Sequence, residues 1–135
     1  MSEQVLEIAR AGYEAWNHGD LEWFEEHTTE DTEIVPAAGL FPDLEGTYHG
    51  IEGWRRFWEV FRAAWSSIDI EVQHLERLSD DDVFGLVRFD GVGRGSGVQA
   101  SLTFIQWLSF RDGKLARLVV EMPDQKELDL DDPRG

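Results

Sequence analysis

The sequence predicts an α+β domain in which helices come first and long antiparallel strands follow. Three observations predict it. Apolar residues recur at helical spacing near the N-terminus and again from Trp54 to Trp65. From Ser67 onward the pattern changes to alternation, in four runs separated by acidic or glycine-rich turns. Finally, 135 residues with 41% hydrophobic and 30% charged side chains make one globular domain, residues 1–135, with no repeat and no linker.

The first helix is expected from Ser2 to Asn17, where Val5, Ile8, Ala9, Gly12, Tyr13 and Trp16 form one face. Gly19 can take the left-handed position that closes it, and Asp20 can cap a second helix from Leu21 to about His27. In that helix Leu21 and Phe24 point inward, and Glu22, Glu25 and Glu26 outward. "TEIVPA" is a short strand stopped by Pro36. The loop "PAAGLFPDLEGT" follows, with Phe41 as its anchor. In "GTYHGIEGWRRFWEVFRAAW" the residues Trp54, Phe57, Trp58, Phe61 and Trp65 fall on one helical face, against Arg55, Arg56, Glu59 and Arg62. The strands are "SIDIEVQHL", "VFGLVRFDGVGR", "VQASLTFIQWLSF" and "LARLVVEMP", the last two joined by the hairpin signal "RDGK". An acidic, fraying helix is expected in "DQKELDLDDPRG".

Charge narrows the function. Twelve basic against 28 acidic side chains leave a net charge of −16, which argues against nucleic acid and against anionic membranes. The aromatic stripe is therefore no base-stacking platform. Without cysteine there are no disulfides, thiolate nucleophiles or thiolate metal sites. The acidic N-terminus is unlike a signal peptide, no apolar run approaches ~20 residues, and the expected location is the cytoplasm. "GSGVQA" is a loose dinucleotide fingerprint, but an alternating strand follows it where a helix is needed, so its glycines make a hairpin. His18, His27, His49 and His74 contain no H-x-x-x-H pair, and no metal or other cofactor is implied. Among the carboxylates only Glu121, in "LVVEMP", has apolar neighbours on both sides, with Gln106 as its polar counterpart on the preceding strand. Parity that places Leu118, Val120 and Met122 inside turns Glu121 outward.

The order of these pieces resembles the SnoaL-like branch of the nuclear-transport-factor-like superfamily over Glu3 to about Leu128. "AWNHGDLEWF", "GTYHGIEGWRRFW", "GRGSGV" and "RDGKLARL" carry the resemblance. It implies an α+β cone, a curved antiparallel sheet wrapped around about three helices with an apolar cavity at the open end, and a homodimer packed sheet to sheet. The aromatic helix would then be core at one end and cavity wall at the other. Such cones host isomerases, cyclases and non-catalytic binders, so the fold does not decide the chemistry. The tyrosine and aspartate of ketosteroid isomerases fall here on Gly12 and Val35. The histidine and aspartate of SnoaL-type cyclases fall on Leu118 and Val120, and only a one-residue bulge would bring Glu121 to the aspartate's place.

The expected function is binding of a small hydrophobic molecule. The expected lining is Tyr13, Trp16, Tyr48, Trp58 and Phe61 on the helical side, with Val87, Phe89, Phe104, Gln106, Leu118 and Met122 from the strands. Two alternatives are a cyclase- or isomerase-type enzyme using Glu121 or Gln106, and a dimerisation module with a closed core.

Overall fold

A computed structural model of the chain describes residues 2–36 and 46–122. The expected Phe41 anchor and the acidic C-terminal helix lie outside the described residues. Helix α1 runs Ser2–His18 and α2 Leu21–Glu26. They meet at a sharp corner made by Gly19 at φ 71°, a left-handed conformation that costs glycine little. Asp20 caps α2, its carboxylate accepting from the Trp23 N–H at 3.1 Å. Strand β1 spans Thr28–Val35, starting earlier than the sequence suggested, and stops before Pro36. The short β2, Tyr48–His49, leads into α3, Gly50–Ala63.

Strands β3 (Trp65–Arg77), β4 (Asp82–Gly93), β5 (Gln99–Arg111) and β6 (Lys114–Glu121) form an antiparallel meander. The tight turn between β5 and β6 is Asp112-Gly113, with φ of 53° and 77°. Positive φ at both positions matches the twist of a two-residue hairpin. Strand β1 then joins β6 in parallel, giving a six-stranded open sheet in the order β2-β1-β6-β5-β4-β3.

The end of the aromatic helix also differs from expectation. Trp65 does not extend α3 but opens β3. The chain reverses at Ala64, whose carbonyl accepts from the Arg94 N–H, while the Arg94 guanidinium donates to the Ala63 and Trp65 carbonyls. Trp65 still packs inward, its ring 4.9 Å from that of Phe89.

The concave face of the sheet is the core side. Val83, Val87 and Phe89 of β4 are fully enclosed there, and Trp54, Phe57, Trp58 and Phe61 of α3 lie buried against it. Arg55, Arg56 and Glu59 take the opposite, exposed face of that helix. The other sheet face carries Phe84 opposite Trp107 and Leu86 opposite Ile105, with Val119 beside Trp107. Trp107 is 38% exposed. At the open edge of β3, Asn17 of α1 donates to the Ile70 carbonyl at 2.8 Å and accepts from the Ile70 N–H at 2.7 Å.

A candidate ligand cavity between the helices and the sheet

Trp16 is the hub of the interior. Its ring stands 4.9 Å from Trp58 and 5.2 Å from Phe61, and edge-on to Phe24 at 6.1 Å. Such edge-to-face contacts set ring against ring without filling all the space between the three helices and the sheet. A cavity of about 110 Å³ remains. Alpha-helix α1 contributes Ile8, Ala9, Gly12, Tyr13 and Trp16 to its wall, and α2 with the start of β1 contributes Trp23, Phe24, His27 and Thr28. Trp54, Phe57 and Phe61 of α3 close another side. The sheet supplies Ile70, Phe104, Gln106, Leu108, Phe110, Leu115, Leu118 and Val120, and Pro36 completes it. No Asp, Glu, Lys or Arg is among these residues.

Six of the expected lining residues therefore meet in one place: Tyr13, Trp16, Phe61, Phe104, Gln106 and Leu118. The other five lie elsewhere. Val87 and Phe89 have no exposed surface, and Phe89 packs behind Phe61 and Phe104 at 5.6 and 6.2 Å. Tyr48 sits on the edge of Phe57, 5.7 Å away. Trp58 stands edge-on to Trp16 and lies under the Arg62 guanidinium, which is 4.4 Å above its ring. Met122, past the end of β6, is 44% exposed. The aromatic helix is thus divided lengthwise: the Trp54–Phe57–Phe61 row faces the cavity and Trp58 faces the core beside it.

Two polar features interrupt the apolar wall. The Tyr13 hydroxyl donates to Gln106 Oε1 at 2.6 Å, joining α1 to the middle of β5. Burial holds the phenol neutral, its pKa raised far above the ordinary range. The second feature is His27. Its Nδ1 lies 2.7 Å from the Trp23 carbonyl and its ring stacks on the Trp23 indole at 4.1 Å and 10°. Its own carbonyl accepts from the Leu115 N–H at 2.8 Å. Sequence reasoning passed over Trp23 and His27, although their spacing of four places both on one helical face.

Glu121 is exposed. It pairs across the sheet with Ile105, on the face turned away from the cavity. A register shift does occur in β6, where Phe110 faces Leu115 but Ser109 faces Arg117. The shift precedes Leu118 and directs Leu118 and Val120 into the cavity, leaving Glu121 outside. Among the described residues there is no cluster of three or more potential metal ligands.

An open, curved sheet folded over three helices defines an α+β cone. The sequence matches the model of the SnoaL-like domain family over residues 9–118, and the chain belongs to that family. No curated protein matches it. Among solved structures it is similar to an NTF2-like protein of unknown function from Burkholderia pseudomallei, at 20% identity and TM-score 0.81 over 95% of each chain. It is similar to TerC, co-crystallised with polyporic acid, at 21% identity and TM-score 0.79 over 89% of this chain and 92% of that one. A third is SalBIII, an epoxide hydrolase/cyclase-like enzyme of pyran ring formation in salinomycin, at 16% identity and TM-score 0.77 over 93% and 94%. At these identities the likeness is one of fold.

Proposed function

We propose that this SnoaL-like protein binds a small hydrophobic molecule in its cavity. The observation that carries the reading is the wall itself: aromatic and aliphatic side chains from every layer of the fold, no formal charge among the described lining residues, and two polar features, the Tyr13–Gln106 pair and His27. Apolar space with few, fixed polar groups is the usual form of a small-molecule site. That TerC was crystallised with polyporic acid, and that SalBIII acts in ring formation, supports a small organic ligand.

The placement of Glu121 favours binding over acid–base chemistry by that residue, because a general base must reach the atom it deprotonates. Gln106 has no titrating group. The copies of this chain pair through the outer sheet face, where Phe84, Leu86, Trp107 and Val119 would otherwise leave an apolar patch in water. Native mass spectrometry of the purified protein tests the ligand reading. A co-purifying organic molecule, displaced by an added aromatic with a change in tryptophan fluorescence, is expected. A cavity that takes up no apolar probe would refute it.

A further inference from the structure

We infer that the cavity is built for an uncharged, single-ring aromatic molecule bearing a hydroxyl group, whose hydroxyl donates to Nε2 of His27. This rests on the binding reading above and gives that ligand a size, a charge and a polar handle.

Size comes from the volume. The cavity of about 110 Å³ is of the order of an engineered apolar cavity of ~150 Å³ that accepts benzene. It is well below the ~300–1,000 Å³ of sites for drug-sized molecules. Charge comes from the wall: an ion entering it would lose hydration and find no counter-charge among the described lining residues.

The polar handle follows from how His27 is held. A carbonyl oxygen can only accept, so the 2.7 Å contact with the Trp23 carbonyl places the proton on Nδ1. In the neutral ring the free electron pair is then on Nε2, which has no hydrogen-bond partner among the described residues. The stack on Trp23 and the Leu115 N–H to His27 carbonyl bond fix the plane and the position of the ring. Next in the chain, Thr28 also lines the cavity, its hydroxyl buried and unpartnered among the described residues. An unpartnered acceptor on a lining residue selects a ligand that brings a donor. Gln106 Oε1 already accepts from Tyr13 and keeps only one further lone pair, whereas His27 Nε2 has no partner among the described residues.

The test compares benzene with phenol by calorimetry at pH 8, on the natural protein and on His27→Phe, which keeps a ring to stack on Trp23. In a wholly apolar cavity the hydroxyl weakens binding, since its desolvation goes uncompensated. The sign of the difference is therefore decisive. Phenol is expected to bind about tenfold more tightly than benzene to the natural protein. In His27→Phe the order should reverse, phenol binding more weakly than benzene, whatever the change in benzene affinity itself. Benzene binding with equal or weaker phenol binding in the natural protein overturns the inference and leaves the binding reading standing. So does a phenol preference that survives in His27→Phe. Binding of neither probe overturns both. Should His27→Phe not fold, imidazole nitrogen NMR of the natural protein replaces it: phenol, and not benzene, should move the His27 Nε2 resonance, and an unmoved resonance refutes the contact.

Discussion

Gly85 lies beneath the hydroxyl of Tyr13, so close that a methyl group in its place would stand 2.9 Å from that oxygen. Gly85 is also the cross-strand neighbour of Gln106, the residue to which the hydroxyl donates. The missing side chain is what lets a helix phenol reach an amide in the middle of the sheet. Gly85→Ala should push the stiff ring away and strip the half-buried Gln106 amide of its donor. A loss of roughly 1–3 kcal/mol in urea unfolding is expected. An unchanged midpoint would show that the ring yields without cost.

The same phenol makes the fold sensitive to alkali. Tyr13 and Tyr48 are the only tyrosines, so a Tyr48→Phe variant isolates Tyr13. Burial raises the Tyr13 pKa in the folded state, whereas the unfolded chain releases that proton near pH ~10. The unfolded state then holds fewer protons than the folded one, and stability falls as pH rises above that value. Below it the contribution is fully present. Phenolate absorbance and loss of ellipticity should therefore appear together on titration. Phenolate forming in an intact fold at ordinary pH would contradict the enclosed hydroxyl.

Trp58 fills space between α3, Trp16, Phe24 and Arg62 without bordering the cavity. Truncation to alanine should cost roughly 3–5 kcal/mol of unfolding free energy, through lost transfer energy and an unfilled void. Affinity for a cavity probe should fall far less than stability does. A cost under about 1 kcal/mol would mean that the ring contributes little to the core.

Trp107 tests the pairing of copies. Its ring packs edge-on against Phe84 at 5.1 Å, and the pair stands at the centre of the outer apolar face. The natural protein should sediment as a dimer at micromolar concentration, and Trp107→Glu as a monomer with unchanged helix and strand content. A natural protein that is monomeric at that concentration would remove the proposed interface.

The elements were legible because each followed a periodicity: apolar stripes in α1 and α3, alternation from β3 to β6. The early start of β1 was not, since Thr28 and Thr29 are buried without looking apolar, nor was β2, whose two residues carry no alternation. Six of the eleven expected lining residues border the cavity for the same reason. Tyr13, Phe61 and Gln106 lie on inward faces that a single element reveals. Val87 and Phe89 share such a face too, yet Phe61 and Phe104 stand in front of Phe89. Which inward residue borders empty space and which is covered depends on neighbours distant in sequence, and no local pattern records it. His27 escaped because a histidine at a helix end has many ordinary uses, and its tautomer is set by a carbonyl whose position only the fold supplies.

The pair of bonds from Asn17 to the Ile70 backbone has a bearing on solubility. A terminal strand offers donors and acceptors in a row, and a strand of another molecule could dock there and continue the sheet indefinitely. At Ile70 a side-chain amide occupies both groups in the manner of one residue of an adjoining strand. On either side Asp69 and Glu71 are exposed, so an approaching copy would meet like charge as well as a filled ladder rung. The first helix thus acts as a stopper at that point of the sheet edge, and in a chain of net charge −16 it disfavours docking of another strand there.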